Sequence, residues 1–384
     1  MRTDSLYRRK RKGKTRAGSR SETALDRAYT AALFTFLALA VLTALLLIIR
    51  NRSYVPPADT GVPFDAGSEM SPDELKRRTG EKSGDPESYN FLVLGIDRTA
   101  LLADTVMIVS VRTDGGINVV QLPRDIYVDR AAAGLEGAGG VKLNSLYASV
   151  GTERLAAFLS RSLCVKIDYT LTVDTDLFAE AVDAIGGVEI DVPSDMDYDD
   201  PEQDLSIHLK AGRQLLNGRQ AEGFVRFRSG YATGDLGRLD AQKLFMIELL
   251  RTLRDRVGLK EASALADSFV PRLDTDMSVR DAVWFLELTV GKGLSDRESG
   301  LSGAGGLRLI TIPGRALYSE EMKTSYYVIG RQAALDTVNR YLNIYGGDIP
   351  DSVFDRNRAF LRAGDEDFER IYTYAIITPE EYSG

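Results

Sequence analysis

The chain has 384 residues, with 48 Lys and Arg against 56 Asp and Glu, a net charge of −8, one cysteine and one histidine. A single cysteine excludes an intramolecular disulfide, and we interpret Cys164 as a small buried side chain. A single histidine, His208, excludes any metal site that needs two histidine ligands, including most zinc sites of the usual types.

The first elements in chain order are a basic tail and an apolar run. Residues 1–28 carry ten Lys and Arg against three Asp and Glu, and residues 29–49 contain no charged side chain. As a helix this run is about 31 Å long, against about 30 Å of bilayer hydrocarbon, so it predicts one transmembrane helix. No small-residue cleavage site follows it, which favours an uncleaved anchor over a signal peptide.

Charge then predicts the orientation. Positive residues mark the cytoplasmic side, which places the amino terminus inside the cell and the main domain outside. A basic tail is also typical of nucleic-acid binding, but topology accounts for this one, so we expect no nucleic-acid partner. The tail's net charge of +7 leaves about −15 on the remaining chain. The exported part is therefore acidic, and basic clusters within it stand out.

Residues 50–89 are predicted to be an extracellular spacer, because they are rich in Pro, Gly, Asp, Glu and Ser. From residue 90 the pattern changes to short β-branched runs and helical periods. The runs at 91–97, 105–111 and 117–123 predict three adjacent strands. Further along, helices are predicted at 152–163, 175–185, 236–257, 279–288 and 331–342, and strands at 169–173, 188–192 and 307–313. This alternation predicts an α/β domain over 90–346, followed by a carboxyl-terminal tail over 347–384.

Polar residues gather where the apolar runs end, which is where an open α/β sheet presents its ligand crevice. Asp97 follows the first strand, and Asp104 precedes the second. Two carboxylates across one strand connection can converge on a hard divalent cation such as magnesium, which prefers a few carboxylates, waters and substrate phosphates. The alternative is that both are turn residues, since Asp is common at strand ends.

A second polar cluster lies between residues 224 and 242. If 225–228 is extended, Arg226 and Arg228 point to the same face and present two guanidinium groups side by side, which suits phosphate. Arg238 and Gln242 share one face of the next predicted helix, and Asp235 is its predicted N-cap. The alternative is a solvated face with ordinary ion pairs. Five basic residues lie close to strand and helix ends of this acidic domain, and together they favour the phosphate site over the solvated face. They are Arg124, Lys142, Arg226, Arg228 and Arg238.

Several motifs occur in an order that resembles the LytR-CpsA-Psr family, from about residue 91 to residue 342. They are GIDR, ADTVMIVSV, LPRD, KLNSLY, AIGGVEIDV, LNGRQAEGFVRFR, and DLGR followed by Gln242. The resemblance implies a single exported α/β domain with a central mixed β-sheet flanked by helices. It also implies a membrane-anchored phosphotransferase of Gram-positive-type envelopes. Such an enzyme moves an anionic or secondary glycopolymer, such as a teichoic acid or capsular polysaccharide, from a polyprenyl-pyrophosphate carrier to peptidoglycan through a phosphodiester bond.

The same resemblance implies roles for individual residues. Asp97 and Asp104 match the carboxylates that bind Mg²⁺ or Mn²⁺, and either is a candidate base for the acceptor hydroxyl. The arginines that match positions holding the pyrophosphate are Arg124, Arg226, Arg228 and Arg238. Supporting polar positions are matched by Lys142, Asn144, Asp235 and Gln242. The apolar carrier chain needs a hydrophobic slot, which we expect the Leu-, Ile- and Phe-rich helices to supply.

Two positions depart from the family pattern. Leu102 stands where the family often has an arginine, and Ala241 lies in a DAQK segment where the family has a basic, glutamine-rich run. Arg98 is a candidate to replace the missing charge. These departures favour an alternative function, a non-catalytic protein that binds a lipid-linked or cell-wall polymer without turning it over. A third alternative, transcriptional attenuation through the basic tail, conflicts with the predicted extracellular position of the domain. Pyrophosphate hydrolysis without an acceptor is a variant of the enzyme hypothesis.

Overall fold

The computed structural model describes residues 88–97, 101–200, 205–228, 231, 235–256, 268–288, 306–319, 323–344, 347–354 and 359–360. The predicted tail, membrane span and spacer lie outside these ranges, apart from the last two spacer residues. None of the helices within the ranges combines the length and the apolarity that a membrane crossing needs.

The described elements follow one another as alternating strands and helices. The first half contains β1 (Ser88–Asp97), β2 (Leu102–Arg112), β3 (Ile117–Leu122), β4 (Tyr127–Asp129), β5 (Gly140–Lys142), α1 (Leu143–Leu163), β6 (Tyr169–Asp174), α2 (Thr175–Ala184) and β7 (Val188–Val192). The second half contains β8 (Met196–Asp200), β9 (Leu205–Leu209), β10 (Gly212–Leu216), α3 (Gly218–Arg226), α4 (Asp235–Arg256), a 3₁₀ turn (Val270–Arg272), β11 (Asp274–Thr275), α5 (Val279–Leu288), β12 (Leu307–Thr311), β13 (Gly314–Ser319), β14 (Thr324–Ile329) and α6 (Arg331–Tyr341).

Six strands form a central mixed sheet in the order β11-β6-β1-β2-β3-β12. β1 runs parallel to β6 and antiparallel to β2, and β3 runs antiparallel to β2 and parallel to β12. The central strands are buried on both faces, which explains why their sequences are continuous apolar runs. The predicted α/β class, the mixed sheet flanked by helices and the three adjacent strands are confirmed.

Each face of the sheet carries its own apolar layer, because successive side chains of a strand point to opposite faces. On one face, Val93 of β1 belongs to the same core as Phe178 of α2 and Phe245 of α4. We call this side of the sheet the α4 face. On the other face, Leu94 of β1 belongs to a core that contains Leu159 of α1 and residues of α6. The sheet is therefore the middle layer of three.

Most predicted elements lie within two residues of their predicted bounds, and the main difference is in α1. This helix begins at Leu143, nine residues before the predicted N-cap Thr152. It is interrupted at Gly151, which has a φ of +76°, a conformation that glycine adopts without steric strain. The prediction at 152–163 therefore captured only its second half. Cys164, which ends α1, is 5% exposed, as predicted.

The beginning of the predicted carboxyl-terminal tail packs on the domain. Val353 and Phe354 are buried in the same core as α1, and the Phe360 ring lies edge-on to Phe158 with 5.6 Å between the ring centroids. The residues after 360 lie outside the described ranges.

Asp168 is a buried carboxylate that joins the start of β6 to β1. It accepts hydrogen bonds from the Asn90 backbone N–H at 2.8 Å and from Lys166 Nζ at 2.8 Å. Burial raises the pKa of Asp168 above its ordinary value of 3.8. The folded protein therefore takes up this proton at a higher pH than the unfolded chain does. The free energy of unfolding therefore falls as the pH rises from 3.8 through the raised pKa, because the buried carboxyl group must then ionise.

We expect Asp168→Asn to remove this pH dependence. The free energies of unfolding of the wild type and the variant, measured by urea titration at a series of pH values, should diverge in favour of the wild type as the pH is lowered through the raised pKa. Taking the difference cancels the titration of the other carboxylates, which both proteins share. A difference that stays constant from neutral pH down to 3.8 would contradict the shifted pKa.

Candidate functional site

A cavity lies at the carboxyl end of β1, between the α4 face of the sheet and helices α2, α3 and α4. The space between its lining residues is about 1040 Å³, a volume that includes the part open to solvent. Most of its wall is apolar and comes from β2, β3, β12 and the three helices. The apolar residues include Met107, Val109, Ile117, Val119, Phe178, Phe245, Met246, Leu249, Leu250 and Leu307. Polar residues lie together elsewhere in the lining, and we call this part the polar end. Its charged and amide side chains are Asp97, Asp104, Glu222, Arg226, Arg238 and Gln242.

Asp97 reaches the cavity through the ordinary alternation of a strand. Val93, Gly95 and Asp97 are two residues apart along β1, so they share the α4 face and all line the cavity. The side chain of Asp97 is only 8% exposed although it is charged. A carboxylate this deeply buried needs a cation or several hydrogen-bond donors beside it.

Asp104 reaches the same cavity through a β-bulge. Gly95 pairs with Thr105 and Ile96 pairs with Ala103, so Asp104 is the extra residue between the two pairs. Simple alternation would point Asp104 and Thr105 to opposite faces, whereas both line the cavity. Bulges of this kind re-aim a side chain and are common beside active sites. The bulge therefore brings the second predicted carboxylate to the polar end.

Arg226 is placed by a helix, so the condition that 225–228 is extended does not hold: Val225 and Arg226 end α3, and the backbone becomes extended only at Phe227. Helix α3 begins with a capping box, in which the Asn217 side chain accepts from the Gln220 backbone N–H at 2.9 Å and the Gln220 side chain accepts from the Asn217 N–H at 3.0 Å. The helix runs to Arg226, whose side chain lines the cavity and is 12% exposed. Arg228 follows the end of the helix, is exposed, and lies outside the described lining of the cavity.

Helix α3 lies very close to α2, and one glycine permits this. A Cβ atom at Gly218 would lie 1.9 Å from the backbone oxygen of Ala179, so any other residue would force the two helices apart. The Gly218 backbone N–H also donates to Asp183 at 2.6 Å. This contact fixes α3 against α2, and with it the two α3 side chains that face the polar end.

The Arg226 guanidinium bridges two buried carboxylates. Its Nη2 donates to Asp97 Oδ2 at 2.9 Å and its Nη1 donates to Glu222 Oε1 at 2.8 Å. Glu222 is itself 5% exposed and also accepts from Arg219 Nη1 at 3.0 Å. Sequence reasoning missed Glu222. Its spacing of four residues from Arg226 would have indicated the pair if the segment had been interpreted as a helix.

Two more arginines converge on Asp104. Arg124 Nη1 donates to Asp104 Oδ1 at 2.6 Å, and Arg238 Nη1 donates to the Asp104 backbone oxygen at 3.2 Å. Arg238 is 2% exposed, and Gln242, one turn further along α4, donates to the Val225 backbone oxygen at 3.2 Å. The predicted shared face of Arg238 and Gln242 is thus directed to the cavity. The hydrogen bond of Arg238 connects α4 to β2, and that of Gln242 connects α4 to α3.

The remaining predicted site residues lie elsewhere or outside the description. Lys142 forms an ion pair with Asp125 at 2.9 Å, and Asn144 is buried at the start of α1, where its backbone N–H donates to the Arg124 oxygen at 3.0 Å. Neither is among the described residues that line the cavity. Asp235, the predicted N-cap, is instead the first residue of α4. Arg98 lies outside the described ranges.

Each carboxylate of the polar end is already paired with an arginine. Arg226 contacts Asp97 and Glu222. Arg124 contacts Asp104 and Arg219 contacts Glu222, both from outside the described lining of the cavity. An anionic ligand must therefore displace a carboxylate from an arginine or bring a cation with it. Among the described residues, no three acidic, histidine or cysteine side chains are grouped to hold a metal by themselves. Two carboxylates on one cavity nevertheless fit Mg²⁺, whose other ligands are commonly waters and substrate phosphates.

Comparison with known proteins gives consistent matches. The LytR_cpsA_psr family model matches residues 64–344. The polyisoprenyl-teichoic acid–peptidoglycan teichoic acid transferase TagV of Bacillus subtilis (strain 168) is 26% identical over 296 residues, which cover 74% of this chain and 72% of TagV. TagU of Bacillus cereus (strain AH820), a transferase of the same description, is 31% identical over 178 residues, or 45% of this chain and 55% of TagU. The crystal structure of B. subtilis TagV has the same fold, with a TM-score of 0.57 at 22% identity over 70% of this chain and 100% of that one.

Proposed function

Since this chain belongs to the LytR_cpsA_psr family, we propose that it moves a glycopolymer from a polyprenyl-pyrophosphate carrier to peptidoglycan through a phosphodiester bond. The observation that carries the proposal is the cavity, in which a long apolar wall and a polar end with buried arginines line one continuous space. A lipid diphosphate has the same two parts, an apolar chain and an anionic head. The relative TagV is named as a transferase of polyisoprenyl-linked teichoic acid to peptidoglycan, which supports the same reaction class here.

The apolar wall supplies affinity for the carrier chain. Burying one CH₂ group contributes about 0.8 kcal/mol, so a few isoprene units inside the cavity are enough for tight binding. The wall is built from strand and helix side chains that already form part of the main core on this face. The apolar chain of the carrier therefore enters a preformed cavity, and the protein core does not have to open to admit it.

The arginines of the polar end supply recognition of the head. Phosphoryl transfer needs the anionic group positioned and its charge neutralised more than it needs covalent work from the protein. A guanidinium group offers paired donors that match phosphate oxygens. Arg226 and Arg124 each donate to a carboxylate at the polar end. A diphosphate entering the cavity would take the place of these carboxylates as an acceptor.

The proposed step is a displacement at phosphorus. A hydroxyl oxygen of peptidoglycan forms a bond to the phosphorus that carries the glycopolymer, and the bond from that phosphorus to the bridging oxygen breaks. Polyprenyl phosphate leaves with the bridging oxygen, and the hydroxyl proton goes to Asp97 or Asp104 as the base. The same two carboxylates would hold Mg²⁺ or Mn²⁺, which when bound neutralises charge on the phosphates.

We propose the corresponding placement in the cell. Residues 1–28 lie in the cytoplasm, residues 29–49 cross the cell membrane, and the domain from residue 90 onward works outside, in a Gram-positive-type envelope. The uncharged apolar run and the basic tail before it support this topology. The partners are then the lipid bilayer, the lipid-linked glycopolymer and peptidoglycan, with no nucleic acid.

One observation favours the alternative, a protein that binds the lipid-linked or cell-wall polymer without turning it over. Leu102 lies directly opposite Asp97 in the β1–β2 pairing, at the position where the family resemblance leads us to expect an arginine. With Arg226 beside Asp97 but no second cation at position 102, neutralisation of the diphosphate would be weaker, while the apolar cavity would stay open. Binding would then survive a loss of turnover.

Mass spectrometry separates these functions. Purified full-length protein is incubated with a polyprenyl-pyrophosphate sugar, Mg²⁺ and a peptidoglycan oligosaccharide. We expect a phosphodiester-linked product, and we expect a chelator to abolish it. Bound but unchanged lipid would support the binding protein instead, and free polyprenyl phosphate without a linked product would indicate hydrolysis. Neither binding nor product would contradict the assignment of the cavity.

A further inference from the structure

Glu222 is a buried carboxylate at the polar end to which neither the motifs nor the proposed reaction assigns a role. It lines the cavity and is 5% exposed. A charge at this depth is costly to remove from water, so it is kept only where it has strong partners. Both carboxylate oxygens are used, with Oε1 accepting from Arg226 and Oε2 from Arg219.

The three side chains form one row along α3. Arg219, Glu222 and Arg226 are spaced by three and four residues, which places them on the same face of a helix. The outer arginine, Arg219, is 63% exposed, while the inner one, Arg226, is 12% exposed. Glu222 thus links a solvent-exposed cation to the buried guanidinium at the polar end.

Arg226 needs this support because of its place in the chain. It is the last residue of α3, and the backbone becomes extended at Phe227, with φ −59° and ψ 136°. Its two terminal nitrogens are divided between two elements, Nη1 to Glu222 on its own helix and Nη2 to Asp97 on β1. The guanidinium is therefore held by two elements, and its contact with Glu222 is the one that fixes it to its own helix.

We propose that Glu222 is a positioning residue, which holds the guanidinium of Arg226 in place to receive the phosphate groups of a lipid diphosphate. This inference depends on the proposed function, since it assumes that Arg226 meets the diphosphate. With Glu222 charged, Arg226 stays anchored to α3 when its Asp97 contact is exchanged for phosphate. Without that charge, the guanidinium shifts toward Asp97, which then competes with the ligand.

The test measures binding of two probes to the full-length protein. Geranylgeranyl diphosphate carries chain and head, and geranylgeraniol carries the chain alone. We expect Glu222→Gln to weaken diphosphate binding about tenfold, the scale of one charge-assisted contact, and to leave geranylgeraniol binding unchanged. Glu222→Asp should recover part of the loss. Glu248→Gln is the matched control, because Glu248 pairs with Arg251 at 2.6 Å on α4, outside the described lining of the cavity.

A double-mutant cycle with Arg226→Lys tests the route of the effect. If Glu222 acts through Arg226, Glu222→Gln should cost much less affinity in the Arg226→Lys background than in the wild type. Additive losses, an equal loss for both probes, or unchanged diphosphate binding in Glu222→Gln would overturn the positioning role. A wild-type protein that binds neither probe would instead overturn the proposed function. The two failures are therefore distinguishable.

Discussion

Arg226→Ala is expected to slow transfer by at least about a hundredfold and to lower the free energy of unfolding by about 3 kcal/mol. Both effects have one cause. The side chain bridges Asp97 and Glu222, whose side chains are 8% and 5% exposed. Its removal leaves two buried carboxylates facing each other without the shared cation, and it removes a guanidinium from the polar end of the cavity. Loss of activity and loss of stability should therefore appear together.

Arg226→Lys should separate the loss of activity from the loss of stability. Lysine keeps the positive charge but lacks the planar fork, so it should restore most of the stability and little of the transfer rate. Initial rates of phosphodiester formation and urea unfolding of the full-length protein provide the two measurements. Arg251→Ala is the control, since it breaks a Glu–Arg pair on α4 that lies outside the described lining. Wild-type transfer by the alanine variant would remove Arg226 from the site.

The sheet and most helices could be predicted from the sequence because local pattern and burial agree there. The runs that became β1, β2 and β3 are buried on both faces, so almost every side chain is apolar and the strands stand out. Helices α2 and α5 show the helical period clearly and lie within one residue of their predicted bounds. In these elements, the conformation that the local sequence favours is the same as the conformation in the folded structure.

Helix α3 shows where local pattern was insufficient. The segment ending in Val225, Arg226, Phe227 and Arg228 alternates apolar and charged residues, as an exposed strand does. The decisive signals lie upstream, in the capping pair Asn217 and Gln220 and in the close approach at Gly218. Because a cap acts only on residues that follow it, interpreting 225–228 alone could not reveal the helix. The error also separated Arg226 from Glu222, its partner one turn earlier.

The second carboxylate was predicted by its chemistry, but its placement depends on a feature that a single strand does not reveal. A bulge is a property of two paired strands, and only the β1–β2 register shows Asp104 as the extra residue. The same holds for Arg238, whose burial depends on α4 closing over β2. Charged residues beside an apolar wall indicated a site. The pairing of each arginine with a carboxylate required the folded chain.

Val119→Phe is expected to lower affinity for a long-chain lipid diphosphate by about a hundredfold or more. Val119 lies on β3, is 2% exposed and lines the apolar part of the cavity, away from the charged side chains. A phenyl ring there fills space that about four CH₂ groups of the carrier would occupy, and each contributes about 0.8 kcal/mol when buried. Because the ring enters an existing cavity, the strain of overpacking should be smaller than in a filled core.

The selective loss of long-chain affinity is what identifies the cavity as the lipid site. Geranylgeranyl diphosphate should bind weakly to Val119→Phe, whereas dimethylallyl diphosphate, which has the same head and one isoprene unit, should bind as it does to the wild type. Val279→Phe is the matched control, because Val279 is 39% exposed at the start of α5. Equal losses for both probes would mean that the ring distorts the polar end. Full long-chain affinity would mean that the carrier chain lies elsewhere on the protein, and the arginines at the polar end would then lack the ligand proposed for them.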